Sequence, residues 1–118
     1  MQRDARAYLW DIEQAARSIQ TFMDGLDIQA YERTEIVRAA VERKFEIIGE
    51  SLNQLVKQDP VLGSRIPRIR EIIAFRNLLI HGYALVEAAR VWRIAQEALP
   101  ELRAAVTKLS EELNGLDT

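Results

Sequence analysis

The chain has 118 residues, with 16 lysines and arginines against 18 aspartates and glutamates, one histidine and no cysteine. That length fits one domain over residues 1–118, able to bury roughly 65% of its unfolded surface without staples. Without cysteine there can be no disulfide, thiolate metal site or cysteine nucleophile, and a reducing cytoplasm is the natural compartment. A net charge of −2 is not the bulk basicity of a general nucleic-acid binder, so any contact with RNA has to come from a local basic patch.

The opening MQRDARAYLWDIEQ lacks the apolar core of a signal peptide. No apolar run reaches the ~20 residues needed to span a bilayer, so a soluble cytoplasmic protein with no membrane association is expected. Few glycines and prolines among many Ala, Leu, Glu, Arg and Ile residues predict an all-α fold.

A first helix is predicted over residues 4–23, with Tyr8, Ile12, Ala15, Ile19, Phe22 and Leu26 on one apolar stripe and Gly25 as its C-terminal cap. A longer helix should start between Asp27 and Thr34 and run to about residue 58. Its stripe is Val37, Val41, Phe45, Ile48, Leu52 and Leu55, and Asp59-Pro60 ends it. Gly49 inside it either permits close approach of another helix or is merely tolerated. Residues 60–67 read as a loop, and a third helix should begin near Pro67 and end at His81-Gly82, with Gly82 as a left-handed cap. Leu85, Ala88, Trp92, Ala95, Leu99, Leu102, Val106, Leu109, Leu113 and Leu116 then form a heptad-like seam. Pro100 interrupts this seam and predicts two helical pieces bent near Leu99-Pro100. The outcome is an antiparallel bundle of four or five helices, the last one broken.

On the third helix Ile69, Ile72, Ile73, Leu79 and Ile80 share a face, with Arg76 in its middle. A cation there needs a carboxylate, a groove or an interface. A second, small and polar face holds Arg70, Ala74, Asn77 and the single histidine, His81. Four arginines between Arg65 and Arg76, against Glu71 alone, make a local basic patch in which Arg65, Arg68 and Arg70 are candidate RNA contacts. His81 at a helix C-terminus suits acid–base chemistry on a phosphodiester, and Arg76 could stabilise its charge. Tyr83 follows two residues later, placed for modification. The plainer alternative is that His81 caps the helix, Arg76 pairs with Glu46 or Glu50, and Tyr83 edges the core.

The string RNLLIHGY over residues 76–83 resembles the R-x4-6-H motif of HEPN domains, and more narrowly the RX4HXY form of HepT toxins. RDARAYLWDIEQAARSIQTF is similar to that family's first helix and AAVERKFEIIGESLNQL to its second. Val91-Trp92 and Leu99-Pro100-Glu101-Leu102 resemble its C-terminal part, so the likeness covers nearly the whole chain. Arg68 departs from it, standing after Pro67 where many relatives carry tryptophan.

The resemblance implies a HEPN bundle and a metal-independent endoribonuclease that works as a homodimer, with Arg76 and His81 as catalytic pair and Asn77 in support. It further implies no cofactor of its own. Its partner would be a minimal nucleotidyltransferase antitoxin that uses ATP as co-substrate to place AMP on Tyr83. With one histidine and no cysteine, a monomer lacks two proton-transfer groups of the usual kind. A twofold dimer would supply a base and an acid from two copies of His81. A reading of another class is a non-catalytic helical partner of a nucleotidyltransferase. Neither a glycine-rich phosphate loop nor a G-x-S-x-G string occurs, and one histidine without cysteine gives little for a metal.

Overall fold

The computed structural model describes residues 3–115, and its helices share one apolar core. Helix α1 spans Ala5–Met23, and the Asp4 side chain caps it by accepting from the backbone N–H of Arg6 at 2.8 Å. Gly25 then takes φ +77°, the left-handed conformation that lets the chain turn away from the helix. The buried stripe of α1 is Leu9, Ile12, Ala15, Ala16, Ile19 and Met23. Its axis is rotated from the sequence reading, which placed Tyr8 and Phe22 inside: Tyr8 is half-buried and Phe22 exposed.

The second predicted helix is two helices. Short α2, Ile28–Arg33, is capped by Asp27 and breaks at Thr34. Long α3, Glu35–Gln58, follows. The break lets α2 dock its fully buried Tyr31 against Trp92, with ring centroids 5.8 Å apart. Residues 60–67 also differ from expectation. Asp59 accepts from the Leu62 N–H at 3.0 Å with Pro60 in the first turn, and this makes a one-turn helix α4, Pro60–Gly63.

Helix α5 spans Ile69–His81. Pro67 is not in its first turn: Arg68 intervenes with φ 64°, a left-handed conformation that side chains other than glycine resist. Gly82, by contrast, is not left-handed, at φ −129°. The backbone needs no reversal there because it continues into a single 3₁₀ turn, Tyr83–Leu85. Leu85 is therefore exposed and outside the seam.

Helix α6 runs as one element over Ala88–Gly115, with Pro100 inside it, where the sequence predicted a break. Proline removes one donor from the helix ladder. Here both Pro100 and Gln96, whose carbonyl loses that bond, lie on the exposed side. Meanwhile Ala95, Ala98, Leu99, Leu102, Val106 and Leu109 stay buried across the position. Leu116, the last residue of the predicted seam, lies outside the described residues.

The architecture is all-α, with α3 packed against both α1 and α5, and α6 packed on α1 and α2. Among the described residues, no helix is long and apolar enough to cross a membrane.

Candidate active site

The site is built where α5 crosses α3. Phe45 and Phe75 meet edge to face there, with centroids 5.3 Å apart and an interplanar angle of 83°. One turn further along α3 comes Gly49. A Cβ added to Gly49 would come closer than 3.0 Å to both Cβ and Cγ of Arg76, and within 3.5 Å of its Cδ. Of the two sequence readings of this glycine, close helix approach is the observed one: the Arg76 stem lies in the space that a side chain at position 49 would fill.

The Arg76 side chain is only 21% exposed. Its Nη2 donates to Oε2 of Glu50 at 2.6 Å and its Nη1 to Oδ1 of Asn77 at 2.8 Å, while Nε is buried without a hydrogen-bond partner. The other oxygen of Glu50 accepts from Nε2 of Gln54, one turn on, at 2.9 Å. Glu46, the other candidate partner for Arg76, is paired with Arg43 instead, at 3.1 Å. These groups border a cleft of about 220 Å³ lined by Arg43, Glu46, Ile47, Glu50, Ser51, Arg76 and Ile80. A guanidinium carries five N–H donors, and two are used here, so hydrogens remain on both Nη atoms for an incoming anion.

The rest of α5 follows its two faces. Ile72, Phe75 and Leu79 are buried, Ile69 and Ile73 half-buried, and Ile80 exposed. The polar face of Arg70, Ala74, Asn77 and His81 faces solvent throughout. No described hydrogen bond or ion pair engages His81, which leaves its ring open to a ligand. Tyr83 is 74% exposed, which corrects the core-edge alternative.

The basic patch is weaker than the local sequence suggests. Arg65 pairs with Glu112 at 2.8 Å, and Arg68 with Glu71 at 3.2 Å and Glu101 at 3.3 Å. Two of those three acids come from α6 and were invisible in the sequence neighbourhood. Arg68 is held further toward its charged form by its hydrogen bond to Glu71 and the nearby charge of Glu101. Arg70 is exposed, with no described ion pair. Sequence reasoning named Glu46, Gly49 and Glu50 singly but did not join them with Arg43 and Ile47 into a cleft wall on α3. Arg43, Glu46, Ile47 and Glu50 recur at helical spacing beside the apolar stripe, a signal that could have identified it.

The family described as Ribonuclease HepT-like matches residues 12–109, the span that holds α3, α5 and the Arg76–Tyr83 segment. The chain belongs to this HepT-like family. Relatives support the assignment over nearly full length. A Thermococcus cleftensis protein named "Probable ribonuclease HepT" is 31% identical over 109 residues, 92% of this chain and 98% of the relative. Two Methanocaldococcus jannaschii proteins, both provisionally named RNases, are 30% identical over 106 residues and 29% over 115. The first of these alignments covers 88% of this chain and 94% of the relative, the second 98% and 94%. No solved structure matches significantly. Among the described residues of this HepT-like chain, no three His, Cys, Asp or Glu side chains are grouped so as to hold a metal ion.

Proposed function

We propose that this HepT-like chain is a metal-independent endoribonuclease toxin whose catalytic groups are Arg76 and His81. The observation that carries this reading is the seat of Arg76. Its stem is packed on Gly49, its head is fixed by two hydrogen bonds, and unused donors remain at a cleft. His81 and Tyr83 stand exposed just beyond it, at the C-terminal end of the same helix.

Cleavage by the ribose 2′-hydroxyl needs a base to take its proton while oxygen attacks phosphorus, and an acid to protonate the departing 5′-oxygen. In the proposed mechanism two His81 rings, one from each protomer of a twofold dimer, take these roles. Arg76 holds the phosphoryl oxygens as charge builds on them. Asn77 keeps the guanidinium in place, and Arg70, on the same polar face as His81, contacts the RNA backbone. Arg65 and Arg68 would join it only by leaving their acidic partners. The protein acts in the cytoplasm and needs no cofactor. Silencing follows when a partner nucleotidyltransferase moves AMP from ATP to the Tyr83 oxygen, which loses its proton as pyrophosphate leaves, because the added phosphate competes with RNA for Arg76.

The test is incubation of wild type and His81→Ala with structured RNA in EDTA, after intact mass confirms that Tyr83 is unmodified. Cleavage by wild type and none by the folded variant is expected. A fully active monomer would sink the two-histidine mechanism, and Tyr83→Phe that stays harmless beside the partner would sink the silencing step. The second reading, a non-catalytic partner of a nucleotidyltransferase, is compatible with the Arg76–Glu50 pair, which a purely structural arginine would make too. Under that reading no RNA is cut, and His81→Ala changes nothing.

A further inference from the structure

We propose that Glu50 is the positioning residue for Arg76, and that the adjacent pair Gly49-Glu50 is a seat that sets one arginine in one orientation at the cleft. The inference rests on the ribonuclease reading above. Gly49 removes the only atom that would keep the Arg76 stem off α3. Glu50, the next residue, then meets the head of the same side chain at 2.6 Å.

The carboxylate is itself immobilised. One oxygen takes the hydrogen bond from Arg76 and the other takes that from Gln54. Together with Asn77 this makes a chain of four side chains, Gln54–Glu50–Arg76–Asn77, whose middle two line the cleft. A carboxylate present only to neutralise a buried cation would be expected to satisfy that cation fully. Here Nε is left without a partner while Nη1 and Nη2 each keep a hydrogen. The arrangement fixes direction rather than saturating the donors, and a long arginine side chain otherwise samples many rotamers. Glu50 is 45% exposed, so water screens its attraction and leaves the guanidinium able to accept a phosphate as well.

The predicted signature is a loss in kcat with little change in KM, passed entirely through Arg76. Glu50→Ala should lower kcat by about tenfold to a hundredfold, the scale of a misplaced catalytic group. Glu50→Gln keeps an oxygen acceptor and should restore most of that activity. In an Arg76→Ala background, Glu50→Ala should cost nothing further in single-turnover cleavage. Each variant is first shown by melting to be folded at the assay temperature. If Glu50→Ala does not fold, Gln54→Ala replaces it and should cost a few-fold in kcat, as for loss of one supporting hydrogen bond.

Four outcomes overturn the proposal: unchanged kcat in Glu50→Ala (or in Gln54→Ala where that replaces it); a fall in KM, which would make Glu50 a competitor of the phosphate; no rescue by Glu50→Gln; or an equal loss without Arg76. Wild type that cuts no RNA overturns the ribonuclease reading and this inference with it, whereas an active wild type with an indifferent Glu50 overturns this inference alone.

Discussion

Arginines stand at the start of α5 and again at its middle, and the two sets differ in everything except charge. Just before its first turn Arg65 and Arg68 lie exposed, each tied to a carboxylate of α6. Two turns further on, roughly 12 Å along the axis from Arg68, Arg76 is largely buried, seated on a glycine and bordering a cleft. A count of arginines sees one patch, but the fold makes two environments. Cations whose partners lie on the surface are available to anything and specific for nothing. A cation whose stem is packed has a fixed place from which to act.

The comparison can be broken at its strongest point first. Arg76→Ala or His81→Ala should reduce RNA cleavage by roughly 10²- to 10⁴-fold in protein that remains folded, measured as kcat/KM in EDTA. A residual activity near wild type would erase the distinction between the two environments. Gly49→Ala comes next. The added methyl meets the Cβ of Arg76, which no rotamer change can move, so the helices must separate. A destabilisation of about 1–3 kcal/mol is expected, with a melting temperature lower by about 4–8 °C per kcal/mol and reduced cleavage. An unshifted melting curve would mean that the helix crossing is looser than described.

Arg65→Ala and Arg68→Ala should be milder, each within about 1 kcal/mol in stability because their pairs are solvent-exposed, with cleavage close to wild type. A strong rise in KM would show that RNA reaches that end after all. The smallest effect is far from both. The side-chain hydrogen bond from Arg6, with that from its backbone N–H, holds the Asp4 carboxyl down at about 2. Its stabilising contribution is thus complete above the unfolded value of about 3.9 and fades as pH falls toward 2. Urea midpoints for wild type and Asp4→Asn should differ at pH 6 and converge near pH 2.

Much of this was legible in the sequence because it is periodic. The core positions Ile12, Ile19, Val41, Phe45, Ile48, Leu52 and Leu55, and the solvent-facing set Arg70, Asn77 and His81, fall where helical spacing puts them. What failed was local. Thr34 divides one expected helix, Pro100 fails to divide another, and Gly82 keeps a negative φ. In the first two cases packing outweighs the preference of one residue: Tyr31 docks on Trp92, and buried contacts persist on both sides of Pro100. The partners of the arginines were out of reach for another reason. Glu101 and Glu112 lie more than 30 residues from the arginines they neutralise, and only the tertiary fold brings them near. Gly49 and Glu50 were both visible as candidates, but a single chain of letters could not say that they act on the same side chain.

The left-handed Arg68 fixes more than the start of α5. Because the helix is counted from that residue, it sets the angular phase at which every later side chain emerges. One residue inserted between Arg68 and Phe75 would turn all that follows by about 100° and advance it 1.5 Å. Arg76 would swing off Gly49, and Phe75 would leave Phe45 with it. Chain length between that turn and the arginine is therefore as strict a requirement as the identity of the arginine itself, and it is a requirement that no substitution scan would reveal.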